Sequence, residues 1–183
     1  MAGKKARPRI TGGPNTALLV IDVQQGLFNK GTPIYRAEAL LANIQHLAEQ
    51  AHQAKAPVVY VQHSAAKHLV LGSPDWQLHP QLEPLPGDLS VHKLQGDAFE
   101  GTLLEAELES KQVGRVIICG LVTHGCVKAT TLGALALGYR VVLVGDTHSS
   151  YSAQAAKFVE EWNEKLAQAG AEVVPAAEIR FKG

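Results

Sequence analysis

A chain of 183 residues with 46% apolar side chains can bury one sizeable core, and a second domain is not expected. Lys plus Arg and Asp plus Glu both number 17, so no charge bias points to nucleic acid or an acidic membrane surface as a partner. Two cysteines argue against a disulfide framework, no apolar run approaches the roughly 20 residues of a membrane span, and the first residues lack the apolar core of a signal peptide, so a soluble, cytoplasmic protein is expected.

Residues 1–14 carry Lys4, Lys5, Arg7 and Arg9 among Gly and Pro, a composition that predicts a loose basic arm ahead of one domain over 15–183. The run Thr16 to Ile21 is continuously apolar, the pattern of a strand covered on both faces, and it leaves Asp22 at a carboxyl end. A loop over 24–33 follows. Leu40, Leu41, Ile44, Leu47 and Ala51 then recur at helical spacing within 36–54. Residues 57–62 predict a second strand. The long stretch His63 to Gly87 has four prolines and little periodicity, as functional connections often do. A short strand is expected over 89–93, a helix over 102–111 and a buried strand over 115–119 ending at Gly120. Helix over 125–137, strand over 139–144, helix over 153–169 and strand over 171–174 complete the alternation. Six strands alternating with helices predict an α/β protein with three α/β/α layers and a mostly parallel, doubly wound, Rossmann-like sheet. Its ligand site would lie beyond the strands' carboxyl ends.

The stretch around Cys126 carries the chemistry. With Thr123 as its expected cap, the residue falls in a helix's first turn, where free N–H groups and the macrodipole favour an anion, so a lowered thiol pKa and a nucleophilic role are expected. The alternative is a small buried hydrophobe, a reading that suits Cys119 in the preceding strand. Asp22, Lys93 and Cys126 all stand at strand ends and can converge in one crevice. There the carboxylate can take the thiol proton and the lysine can hold the carboxylate. Singly, Asp22 also reads as a turn residue and Lys93 as a surface charge. DVQQGLF follows the first strand in place of a Gly-rich turn, so a dinucleotide cradle is not expected.

LLVIDVQQGLF around Asp22, VHKLQGDAF around Lys93 and GLVTHGCVKATTLGALALGYRVVLVGD around Cys126 together resemble the isochorismatase-like cysteine hydrolase family, over nearly all of 17–174. The resemblance implies a catalytic triad of Asp22, Lys93 and Cys126. It also implies a cis peptide at Leu121–Val122 and an oxyanion hole formed by the backbone N–H groups of Val122 and Cys126. It further implies a homo-oligomer and a cofactor-independent hydrolase that cleaves a C–N bond of a small molecule, amide or ureido in type, through a Cys thioester. The alternatives are vinyl-ether hydrolysis of an isochorismate-like acid, with Cys126 a bystander, and a non-catalytic binding protein on the same fold. Members that bind metal carry Asp-x-His after the second strand, where this chain reads Gln62-His63-Ser64-Ala65, so no metal is expected and His63, His68 and His79 read as loop histidines. Phe28, Trp76 and Phe99 in the loops, with Thr123 and His124 beside the cysteine, are the candidate pocket residues. Asp146 reads as structural.

Overall fold

The computed structural model describes residues 13–181. All but the last two residues of the expected basic arm therefore lie outside the described residues. Six strands form one parallel sheet: β1 (Asn15–Ile21), β2 (Val58–His63), β3 (Leu89–Lys93), β4 (Val113–Leu121), β5 (Arg140–Ser149) and β6 (Glu172–Val174), in spatial order β3-β2-β1-β4-β5-β6. The chain winds outward from β1 through β2 to β3, then crosses back to lay β4 on the other side of β1. The order thus reverses between β1 and β4, the position where doubly wound sheets open a crevice.

Among the described residues five α-helices complete the fold: α1 (Gln25–Phe28), α2 (Ala37–Gln53), α3 (Leu104–Ser110), α4 (Lys128–Leu137) and α5 (Ala155–Gln168). Alternation along β1 divides the core between two faces. Leu18 and Val20 pack with Leu40, Leu41, Ile44 and Leu47 of α2. Ala17, Leu19 and Ile21 pack with Leu104 and Leu108 of α3, Ala134 of α4 and Leu166 of α5. Burial on both faces is why the central strands are continuously apolar, and it gives the three α/β/α layers.

Two backbone features bring the switch-point strands together. Ile21 pairs with Gly120, and a Cβ on Gly120 would stand 2.2 Å from the Ile21 carbonyl oxygen, so no other residue fits there at φ +118°. At β4 and β5 the register breaks: Ile118 pairs with Leu143, but Gly120 pairs with His148. The extra residues of β5 bulge out, and the strand runs five residues past the expected Val144, carrying a buried His148 beneath the cysteine turn. Asp146 sits in this bulge and accepts the Ala176 N–H at 2.8 Å, a structural role. Among the described residues no helix is long and apolar enough to cross a membrane.

Candidate active site

Asp22 follows β1 directly. Its N–H donates to the Val61 carbonyl at 2.9 Å and its φ of +50° lies in the left-handed region, which aspartate tolerates better than most residues. Lys93 closes β3, paired with His63 at the end of β2. Both side chains are withdrawn from solvent, Lys93 at 1% and Asp22 at 2% exposure, which ionisable groups sustain only when paired. Lys93 Nζ lies 2.9 Å from Asp22 Oδ2 and 3.1 Å from Cys126 Sγ. The Gln95 carbonyl oxygen at 3.0 Å and His63 Nδ1 at 3.3 Å complete its surroundings. Three N–H groups thus face four acceptors, so the ammonium can exchange one partner for another without leaving its place. Asp22 Oδ1, also buried, has no hydrogen-bond partner among the described residues.

Gln24 holds the neighbouring loops to this centre. Fully buried, it donates through Nε2 to the carbonyls of His63 (3.0 Å) and Trp76 (2.8 Å) and accepts the His63 N–H at 2.9 Å. One glutamine thereby ties the end of β2 to the long connection, a role that DVQQ did not disclose.

The cysteine turn differs from its expected form. Cys126 lies in a wide turn over Thr123–Val127, broken by Gly125 at φ −115°, ψ −109°, and the regular helix α4 begins only at Lys128. Thr123 makes no side-chain cap. Its hydroxyl instead reaches His148 Nδ1 at 2.9 Å, while His148 Nε2 lies 2.8 Å from Asn163 Oδ1 and Asn163 Nδ2 donates to the Gly145 carbonyl at 2.9 Å. The polarity of this chain follows from its last link. Because the Asn163 amide nitrogen donates to Gly145, its oxygen must accept from His148 Nε2–H, leaving Nδ1 to accept the Thr123 hydroxyl proton. Burial lowers the His148 pKa, in keeping with that neutral form. The peptide Leu121–Val122 is cis, at the position the resemblance implied.

The expected low thiol pKa is corrected. Burial, with the Asp22 carboxylate adding to it, pushes the Cys126 thiol up to about 11, and Lys93 offsets only part of that rise. A helix-start argument omits both opposing effects, and Gly125 removes the regular first turn on which it rests. Burial likewise raises Asp22 against the pull of Lys93, and it lowers His63, with Lys93 acting in the same direction. Cys119, wholly buried in β4, is raised by burial alone.

Asp22 and Cys126 open into a cavity of about 220 Å³ whose wall also includes Leu27, Lys30, His63, Ala65, His68, Leu69, Val122 and Tyr151. None of the five candidate pocket residues lines it, and that expectation is corrected. Phe28 packs on His79, with ring centroids 4.5 Å apart, and against the α2-side core. Trp76 joins the same core and sets its ring edge to His92. Phe99 stacks on Tyr139 in the opposite core. Thr123 is fully buried on His148, and the exposed His124 rests on Phe158. Aromatic loop residues serve packing here, while the wall comes from smaller and charged neighbours. Lys30 and Tyr151 carried no sequence signal above their surroundings. His63 and His68 were visible as loop histidines, and among the described residues no three His, Cys, Asp or Glu side chains gather as a metal site.

A parallel α/β sheet with a thiol, an ammonium and a carboxylate meeting at its topological switch defines a class of protein built for chemistry on a small ligand. Comparison with known proteins names the family. The family model for the isochorismatase domain matches residues 16–178. A streptothricin hydrolase of Streptomyces noursei is 36% identical over 147 residues, 79% of this chain and 53% of that protein. A maleamate amidohydrolase of Pseudomonas putida is 30% identical over 166 residues, 77% of each. Among solved structures, an isochorismatase family protein superposes with a TM-score of 0.84 at 30% identity, covering 89% of this chain and 99% of that one. The chain belongs to the isochorismatase family. It spans between about half and three fifths of the length of the two streptothricin hydrolases it matches.

Proposed function

We propose that this protein is a cofactor-independent hydrolase that cleaves a C–N bond of a small amide or ureido compound through a thioester on Cys126. The observation that carries the reading is the contact of Lys93 Nζ with both Asp22 Oδ2 (2.9 Å) and Cys126 Sγ (3.1 Å), two residues that line one cavity. With the thiol pKa near 11, the proton rests on sulfur at neutral pH, so the nucleophile is made only as it reacts. Sulfur attacks the substrate carbonyl carbon while its proton passes to the Asp22 carboxylate, whose Oδ1 is free to accept it. Lys93 stays in contact with both groups and offsets the charge that moves between them. The carbonyl oxygen becomes an oxyanion held by the N–H groups of Val122 and Cys126. Collapse of the tetrahedral adduct breaks the C–N bond, and the proton on Asp22 leaves with the amine. Water then attacks the thioester and gives a proton to Asp22, which returns it to the departing sulfur, so that the acid leaves and the thiol and carboxylate are restored. The amidohydrolase among the relatives supports an amide as the bond cleaved.

Cytoplasmic location, a single domain over 15–183 and assembly as a homo-oligomer belong to the same proposal, the first because both cysteines are free. A screen of small amides, ureido compounds and isochorismate-like acids, run on the wild type and Cys126→Ala, tests it. Turnover of a C–N substrate by the wild type alone is the expected result. Vinyl-ether turnover that survives Cys126→Ala would reverse the assignment.

A further inference from the structure

The cavity wall is unevenly charged. Asp22 is its one carboxylate, and Lys93 neutralises it at 2.9 Å. Every other ionisable wall group except the thiol and Tyr151 is basic: Lys30, His63 and His68. Of these, Lys30 is the ammonium with no carboxylate partner among the described residues. Its Nζ lies over the Tyr151 ring, 5.8 Å from the centroid, and among the described residues no carboxylate stands within 4 Å of it. A ring face orients an ammonium but does not cancel its charge. The segment bearing Lys30 is also fixed in place. The Gln25 N–H donates to the Gln77 carbonyl at 2.9 Å, and Asn29 Nδ2 donates to Asp75 Oδ1 at 3.4 Å. The same wall includes the apolar side chains of Leu27, Leu69 and Val122. A ligand lying along it would displace water from around the ammonium and strengthen any charge contact there.

We propose that Lys30, laid over Tyr151 on the wall of the Cys126 cavity, is a subsite for a carboxylate carried by the substrate, which selects small amide acids over neutral or cationic amides. The inference rests on the hydrolase reading for the word amide, but the anion subsite itself does not. The cavity is small, about 220 Å³ and below the usual range of drug-sized sites, so it suits a compact ligand. A short amide acid is a suitable probe for a site of this size.

Succinamate and succinamide make a matched pair of probes, differing in whether an acid or a second amide stands opposite the scissile group. The wild type is expected to favour succinamate in kcat/KM by about tenfold or more, the size of a partly desolvated charged contact. Lys30→Gln should bring that ratio toward one, and Lys30→Arg, which keeps the charge, should preserve it. A turnover-free measurement separates the two claims: succinate binding to Cys126→Ala by calorimetry, with and without Lys30→Gln. Binding weakened about tenfold by the second substitution supports the subsite even when neither amide is turned over, an outcome that would count against amide hydrolysis alone. Succinate binding that is absent, or indifferent to Lys30→Gln, overturns the subsite whatever the amides do. Turnover of both amides at equal rates in that case would leave the thiol chemistry standing.

Discussion

Removing Lys93 while keeping Asp22 leaves a buried carboxylate without its partner ammonium. At 2.9 Å the pair attracts by about 6 kcal/mol at an effective dielectric of 20. Withdrawing each ion from water costs several kcal/mol, so the pair contributes little net stability, whereas one unpartnered member costs about 3–5 kcal/mol. Lys93→Met is therefore expected to lose about that much at pH 8. Asp22→Asn, which leaves the ammonium alone, is expected to lose a comparable amount. The double variant should lose less than the sum, by a coupling of about 2–3 kcal/mol. The pH dependence has a definite sign. Burial already raises Asp22, and losing Lys93 raises it further above its unfolded value, so folded Lys93→Met binds more protons than its unfolded chain between the two values. Its stability deficit is full above the folded pKa and is relieved as pH falls through it. Urea unfolding of the four proteins between pH 5 and pH 8 measures both quantities. Losses that add to within about 0.5 kcal/mol would show that the two side chains do not sustain each other.

Three further outcomes follow from the same geometry. Asp22→Asn removes a carboxylate that raises the Cys126 thiol, so the alkylation limb of Cys126 should move to lower pH while amide turnover is lost, with labelling at pH 8 rising about tenfold for each unit of that move. An unmoved or raised limb in peptide mapping against Cys119 would contradict the electrostatics. His148 is held neutral by burial, so its folded pKa lies below the unfolded value, and its contribution to stability is present above about pH 6.5 and lost as pH falls toward the folded pKa. His148→Gln should flatten the slope of unfolding free energy below pH 6.5 by up to about 1.4 kcal/mol per pH unit, and an unchanged slope would remove that proton from the account. Dialysis against a chelator should leave turnover intact, as measured by activity with elemental analysis; loss of activity restored by one added metal would assign a role to an ion that the proposed mechanism does not use.

The strands were readable because both faces of the sheet are covered, which makes TALLVI and VVYV continuous apolar runs. The exception was the end of β5, where Gly145 to Ser149 are small or polar. There the strand is sustained by the Thr123–His148–Asn163 chain and by Ser149 Oγ donating to the Tyr35 carbonyl at 2.6 Å, partners far away in sequence. The meeting of Asp22, Lys93 and Cys126 was legible because each stands at or beyond the end of a recognisable strand and parallel strands share a carboxyl end. Cavity walls were not, since Phe28 and Phe99 resemble ligand contacts in composition while their burial is a product of tertiary packing. The direction of the Cys126 shift failed for the same reason. Position in a turn can be read from a sequence, but desolvation and a carboxylate from another strand cannot.

The central claim is that the Cys126 sulfur becomes acylated during turnover, and acid-quenched mass spectrometry of the protein mixed with a turned-over amide observes that bond directly. A transient mass increase equal to the acyl group is the expected result. It should map to the peptide bearing Cys126, be lost on treatment with hydroxylamine, and be absent from Cys126→Ala. Full turnover with no such adduct at any quench time, and the same rate in Cys126→Ala, would contradict it.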